Sequence, residues 1–249
     1  MTLNHRLTLP ARVCLLLTLF FSLTQIACYA QQQYVGRYGL YTGFTDLYTP
    51  GLNNIQQLGF HLQAGVDNRS WLTTGFDYSV EHGNTNLIPS MASPAVLAGI
   101  EYLYGVGALP PTYAVNIPLS ATTQTFTAGP TLDYRHFSKV TLFIRPSLAA
   151  FRISATPHPR NAGDATVVAA LEQGNYLTPQ GTITNWTGAY GVGGGAELRL
   201  TNHFGVRAQL DAIWNHPFNA ILGDGGWSYR YSVGPTFHFG RNILVPQNN

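Results

Sequence analysis

"WSYRYSVGPTFHFG", Trp227–Gly240, sets a large apolar side chain at nearly every second position. Trp227, Tyr229, Tyr231, Val233, Phe237 and Phe239 fall on one face of an extended chain, and Arg230, Ser232, Thr236 and His238 on the other. Period-two alternation is the pattern of a half-buried strand, because successive side chains point to opposite faces. Pro235 stands among them although proline cannot donate to a ladder. An upstream stretch repeats the feature: "GPTLDY" at Gly129–Tyr134 echoes "GPTFHF" at Gly234–Phe239. The echo predicts a Gly-Pro bulge or bend at matching heights in two related halves, not a broken strand.

Seven more segments alternate in the same way. "YVGRYGLYTGFT" opposes Tyr34, Tyr38, Leu40 and Phe44 to Arg37, Gly39 and Gly43. "LGFHLQAGVD" opposes Leu58, Phe60, Leu62, Ala64 and Val66 to Gly59, His61, Gln63, Gly65 and Asp67. "LTTGFDYSVEHG" carries Asp77, Ser79 and Glu81 on its polar side, and "TFTAGPTLDYRH" carries Thr131, Asp133 and Arg135. "VTLFIRPSLAAF" presents Thr141, Arg145 and Ser147 against Val140, Leu142, Ile144 and Leu148, with Phe143 and Phe151 blurring the pattern. "WTGAYGVGGGAELRL" and "FGVRAQLDAIWN" place Glu197, Arg199, Arg207 and Asp211 opposite their apolar residues.

Each segment runs to about ten residues or more, whereas soluble strands average about 5–6 and tilted bilayer-spanning strands need about 9–11. Connections alternate strictly in length. Tight turns fall at "NRS", "HFSK" and "TNH"; longer ones span residues 46–56, 83–122, 156–184 and 216–226. That is the pattern of a transmembrane β-barrel with short periplasmic turns and long external loops. The expected fold is therefore all-β: an antiparallel up-and-down barrel of eight strands. Two loops carry helix signals. "SPAVLAGIEYLYG" has Ser93 as N-cap, Pro94 at the first position and Gly105 as a stop, and "DATVVAALEQG" runs from Asp164 to Gly174. Such helices either cap the barrel mouth or offer Val96, Leu97, Ile100 and Tyr104 to a partner.

The first thirty residues read differently. His5, Arg6 and Arg12 precede an uncharged run from Val13 to Ile26, and "CYA" supplies small residues for cleavage after Ala30. This is the pattern of a secretory signal peptide, so residues 1–30 are expected to be removed and residues 31–249 to form the barrel. Cys14 and Cys28, the two cysteines of the chain, would leave with it. Disulfides and thiol chemistry would then play no part in the mature protein. Charged residues make up 10% of the chain and aromatics 12%. Losing Arg6 and Arg12 takes 13 basic residues to 11, against 11 acidic ones, so nothing points to nucleic acid as a partner.

The polar faces define the candidate site. Arg37, Asp77, Glu81, Asp133, Arg135, Arg145, Glu197, Arg199, Arg207, Asp211 and Arg230 would face the lumen, and inward glycines leave them room. Eight strands enclose an interior just wide enough for side chains to fill, and buried charge is tolerable mainly when paired. A filled, paired plug follows, not a channel. Tyr34, Trp71, Trp186, Trp214 and Trp227 near strand ends would sit at membrane interfaces, with Tyr229, Tyr231, Phe237 and Phe239 facing lipid.

The signal peptide, "YVGRYGLYTGF", "GPTLDYRH" and the terminal strand ending "FHFG" together resemble the OmpA-like superfamily of eight-stranded outer-membrane barrels. The likeness covers the mature chain and implies an outer-membrane location, with membrane lipid and the barrel assembly machinery as partners and surface ligands met through the loops. Such proteins often end on the aromatic residue itself, whereas Gly240 and "RNILVPQNN" follow Phe239 here; residues 242–245 would extend the strand. Other classes stand beside the expected non-enzymatic, cofactor-free role in envelope integrity or adhesion: a narrow pore, a lipid A-modifying enzyme built on the His-x-Ser spacing at His136–Ser138, and a soluble lipocalin-type barrel, whose interior would be apolar and exterior polar.

Overall fold

The computed structural model describes residues 32–178, 181–218, 221–222 and 225–244. The signal-peptide segment, both cysteines and residues 245–249 lie outside the described residues. The eight strands are β1 (Gly36–Thr49), β2 (Ile55–Arg69), β3 (Leu72–Leu87), β4 (Ile117–Tyr134), β5 (Val140–Pro157), β6 (Ile183–Arg199), β7 (Phe204–Asn215) and β8 (Gly226–Asn242). Each pairs antiparallel with the next, and β8 returns to β1 to close the barrel. Closure leaves no strand edge exposed, which an apolar environment requires.

The strands run longer than the alternation alone indicated. β3, β4 and β5 extend to 16, 18 and 18 residues and consume the ends of their loops. The β1–β2 connection shrinks to residues 50–54, where Asn53 and Asn54 take left-handed backbone at φ 53° and 55°. Asparagine tolerates that region better than most residues. β8 continues past Phe239 to Asn242, which pairs with Gly36. The tail therefore begins by prolonging the closing strand.

At both Gly-Pro positions the ladder to one neighbour lapses without a register shift. Pairing skips from Ala128–Leu148 to Leu132–Ile144, and from Tyr41–Thr236 to Phe44–Val233. The feature is a local gap, not a bulge. A β-carbon on Gly234 would lie 2.0 Å from the Thr42 carbonyl oxygen, and one on Gly129 2.2 Å from that of Pro146. Glycine is required because the neighbouring backbone comes that close. The one irregularity of the β1–β8 seam falls between Gly36 and Tyr38, at Arg37.

Outside, an apolar band encircles the barrel. On β7 it runs from Phe204 through Val206, Ala208, Leu210 and Ala212 to Trp214. Ten steps of about 3.4 Å, tilted by about 40°, give a height of about 26 Å, which matches a membrane barrel's apolar band. Aromatic rings mark both margins. Tyr190 stacks on Trp214 at 5.5 Å and Phe126 on Trp186 at 5.8 Å toward the long loops; Phe204 and Phe237 (4.9 Å) and Phe237 and Phe239 (5.6 Å) meet at the turn end.

Above the band, polarity inverts along the same strands. Moving up β4, the outward residues change from Leu132, Ala128 and Phe126 to Gln124, Thr122 and Ser120. The inward ones change from Asp133, Thr127 and Thr123 to Ala121, Leu119 and Ile117. β5 repeats this: Arg152, Ser154 and Thr156 face out while Phe151, Ile153 and Ala155 face in. The upper storey is thus polar outside and apolar inside, the arrangement weighed from sequence only for a soluble barrel. Phe151 did not blur the alternation; it belongs to the other storey.

Two helices roof this storey, α1 (Pro94–Gly105) and α2 (Ala162–Gln173). α1 starts on Ser93 with Pro94 in its first turn, as its sequence signals. α2 begins two residues before Asp164, because Asn161 is its N-cap and accepts the Asp164 backbone N–H at 2.8 Å. Val96 and Ile100 are buried beneath α1, and Leu97 and Tyr104 pack against the same cluster. Val96 and Ile100 hold the roof down from within, while Leu97 and Tyr104 stay half-exposed.

Candidate functional site

The charge network sits across the lower lumen. At its centre Arg230 is fully buried on β8. Its guanidinium donates to Asp211 Oδ2 at 2.9 and 3.1 Å, to Ser79 Oγ at 2.8 Å and to Asp77 Oδ2 at 3.4 Å. Arg145 bridges the same two carboxylates, at 3.0 Å from Asp211 and in close contact with Asp77. His61 Nε2 lies 3.2 Å from Asp77, and its Nδ1 lies 3.1 Å from Ser232 Oγ. Strands β2, β3, β5, β7 and β8 thereby meet at one knot. Such a knot requires the strand register to hold, since a slip of one residue would turn every charge outward.

A second cluster fills the turn end. Glu197 accepts Arg207 at 2.7 Å, faces His238 Nε2 at 2.6 Å and lies 3.7 Å from Arg199. Arg135 contacts Asp67 and, at 2.8 Å, Asp133, while the Thr73 hydroxyl lies between the two carboxylates, 2.7 Å from Asp67 and 2.6 Å from Asp133, and donates to one of them at a time. The Arg207 guanidinium also lies over the Phe143 ring at 4.7 Å and near the Tyr41 ring at 5.7 Å. Gly43 makes room for Tyr41: a β-carbon there would come within 2.1 Å of the phenol oxygen.

The structure brings together nine of the eleven predicted lumen residues, Asp77, Asp133, Arg135, Arg145, Glu197, Arg199, Arg207, Asp211 and Arg230, in ion pairs. Arg37 lies at the seam irregularity, half-buried, and among the described residues no carboxylate pairs with it. Glu81 is fully buried one step above Ser79, and neither carboxylate oxygen has a hydrogen-bond partner among the described residues. Asp67, His61, Gln63 and Tyr41 complete the network and were not singled out from sequence. Asp67 and His61 alternate in phase with Gly59 and Gly65, so the signal was present in β2. Tyr41 was hidden because an inward aromatic breaks the simple polar-face rule.

The predicted interface aromatics face outward. Trp71, Trp186, Trp227, Tyr231, Phe237 and Phe239 are exposed; Tyr34, Trp214 and Tyr229 are half-buried. Tyr34 donates its hydroxyl to the Gly240 carbonyl at 2.7 Å and meets His203 edge-on. His136 and Ser138 fall in the β4–β5 turn, at the end opposite the roof. Among the described residues no group of three or more His, Cys, Asp and Glu side chains is placed to hold a metal ion.

The plug does not extend to the top. Above Glu81 the lumen becomes an apolar chamber, walled by Ile55, Ile117, Ile153 and Ala155 and roofed by Val168, Leu171, Phe218 and Leu222. Lumen-filling charge therefore holds for the lower storey and is corrected for the upper. The chamber holds a cavity of about 70 Å³ that is partly open at its margin. Left empty, a void of that size costs on the order of 1.7 kcal/mol, at about 24 cal/mol per Å³. The β3–β4 and β7–β8 loops are stitched over it by the Ala92–Leu222 bridge and by the Ser93 N–H, which donates to Ile221 O at 2.6 Å.

No protein-family model matches the chain, and no curated protein matches it significantly. Solved structures do. Neisserial surface protein A superposes with a TM-score of 0.51 at 11% identity, over 82% of this chain and 99% of that one. Ail of Yersinia pestis gives 0.45 at 11% identity, and the N-terminal β-barrel domain of Pseudomonas aeruginosa OprF 0.42 at 10%, each over 82% of this chain and 99% of the other. At such identities the likeness is one of fold, and the fold is that of the small eight-stranded outer-membrane β-barrels.

Proposed function

We propose that the protein is an integral barrel of the bacterial outer membrane with a closed lumen, serving envelope integrity or surface adhesion through its capped external end and carrying no catalytic chemistry. The observation that supports this best is the knot of Arg230, Arg145, Asp77 and Asp211. All four are at least 96% buried and their ion pairs reach across the lumen, which supports a closed lumen over a conducting one. The apolar outer band supports insertion in lipid, and an assembly-machinery interaction follows from that location. A ligand at the surface would meet the polar outer wall of β4 and β5 and the exposed sides of α1 and α2.

Reconstitution tests the reading. The purified protein should shift in gel mobility on boiling and should leave planar bilayers electrically silent. Regular single-channel steps would overturn the closed-lumen reading in favour of a narrow pore. Recovery as a soluble periplasmic species would overturn the membrane reading altogether.

A further inference from the structure

We propose that the apolar chamber above the plug is a binding site for a small, uncharged apolar molecule, the size of a short alkane. Three observations converge on it. The first is composition. The walls are aliphatic, and the polar side chains at the margin are already satisfied: Thr123 donates to Gln57 Oε1 at 2.8 Å, Gln57 to the Ala121 carbonyl at 3.1 Å, and Thr85 to the Leu52 carbonyl at 3.3 Å. Nothing in the chamber asks a ligand for a hydrogen bond. An apolar cavity of this kind stays dry and takes apolar guests; a void of about 150 Å³ admits benzene or xenon, so 70 Å³ admits xenon or a chain of a few carbons.

The second is position. The chamber lies above the lipid band, behind a wall whose outer face carries Gln124, Arg152 and Ser154. Apolar lining here serves no membrane purpose, and a molecule arriving from water gains by leaving it. The third is strain. Phe218, in the chamber roof, is held at φ 51°, a backbone region that a bulky aromatic residue rarely adopts. Asn185 fixes it there by accepting its backbone N–H at 3.2 Å. Strained backbone persists where the surroundings over-determine it, and ligand clamps are one such place. The loop holds an aromatic ring at the edge of the void without closing it.

The test uses the full barrel in lipid nanodiscs, with labelled methyl groups and xenon, then n-butane, as probes under pressure. Methyls of Ile117, Ile153 and Leu171 should shift saturably. Ile144 and Leu210 face outward and should respond only in proportion to pressure, as lipid-dissolved gas requires. Ala155→Leu fills the chamber and should weaken the saturable response at least tenfold while heat-modifiable mobility is retained. If that variant fails to fold, Ala121→Val is read in the same way. Chamber methyls that track Ile144 linearly would overturn the proposal, as would a filled variant that titrates like the parent. A conducting barrel that still shows saturable chamber shifts would refute the closed lumen alone.

Discussion

Replacing Arg230 by Met removes the central cation of the plug while keeping much of its volume. Arg230 lies 2.9 Å from Asp211 and 3.4 Å from Asp77, fully buried. With charge centres about 4 Å apart and an effective dielectric near 20, each pairing has a gross attraction of about 4 kcal/mol. Relief of the guanidinium's own desolvation offsets much of that sum, and Arg145 still bridges both carboxylates. The expected net loss is about 3–5 kcal/mol, the usual cost of leaving a buried charge without its partner. Equilibrium unfolding in urea, followed by tryptophan fluorescence on barrels refolded into vesicles, measures it. Asp211→Asn made in the Arg230→Met background should cost at least about 1 kcal/mol less than in the parent, because contacting residues couple. Raising salt should leave the loss unchanged, since the pairs are shielded from ions. A loss under about 1 kcal/mol, or strict additivity, would refute the idea that this knot holds the lumen shut.

Glu81→Gln should behave oppositely, leaving stability within about 1 kcal/mol of the parent or raising it, because neither carboxylate oxygen has a hydrogen bond to lose; the same urea titration reads it. Gly43→Ala should cost about 1–3 kcal/mol by driving a methyl into the Tyr41 hydroxyl, and pairing it with Tyr41→Phe should recover part of that loss. Asp164, in the roof and outside the band, is pushed up by burial but pulled further down by the Arg160 backbone N–H and the Tyr113 hydroxyl, so its carboxyl ends below the usual range. A depressed folded value means that the stabilisation is full above the ordinary carboxylate range and lost as pH falls through the folded value. Hydrogen-exchange protection across α2, corrected for the intrinsic pH dependence of amide exchange, should therefore fall in acid, and Tyr113→Phe should narrow the difference in protection between neutral and acidic pH.

Strand number, order and face assignment were legible because a period of two is hard to mimic over ten residues, and because loop lengths alternate independently of it. In β8 the sequence alone put Arg230 inward and Trp227 outward, and both stand there. The plug was legible in membership but not in pairing. That Arg145 and Arg230 share Asp77 and Asp211 depends on tilt and stagger, which bring residues of β3, β5, β7 and β8 to one height. The upper storey was not legible for a different reason. In "IPLSATT" and "RISATP" the face carrying apolar residues continues the lumen face of the same strand, so short β-rich stretches resembled loop. Only the register of Leu119 with Pro157 and of Leu87 with Ile117 shows them to be strand.

The inversion of polarity along β4 and β5 also separates two kinds of evolutionary freedom. Outward positions such as Gln124, Arg152 and Ser154 touch water on a wall whose stability resides on its other side. Exposed substitutions away from special features rarely move stability by more than about 0.5 kcal/mol. The outer wall of the upper storey can therefore drift in sequence while chamber, plug and apolar band stay fixed. A barrel built this way can change its appearance to the outside world without refolding its interior.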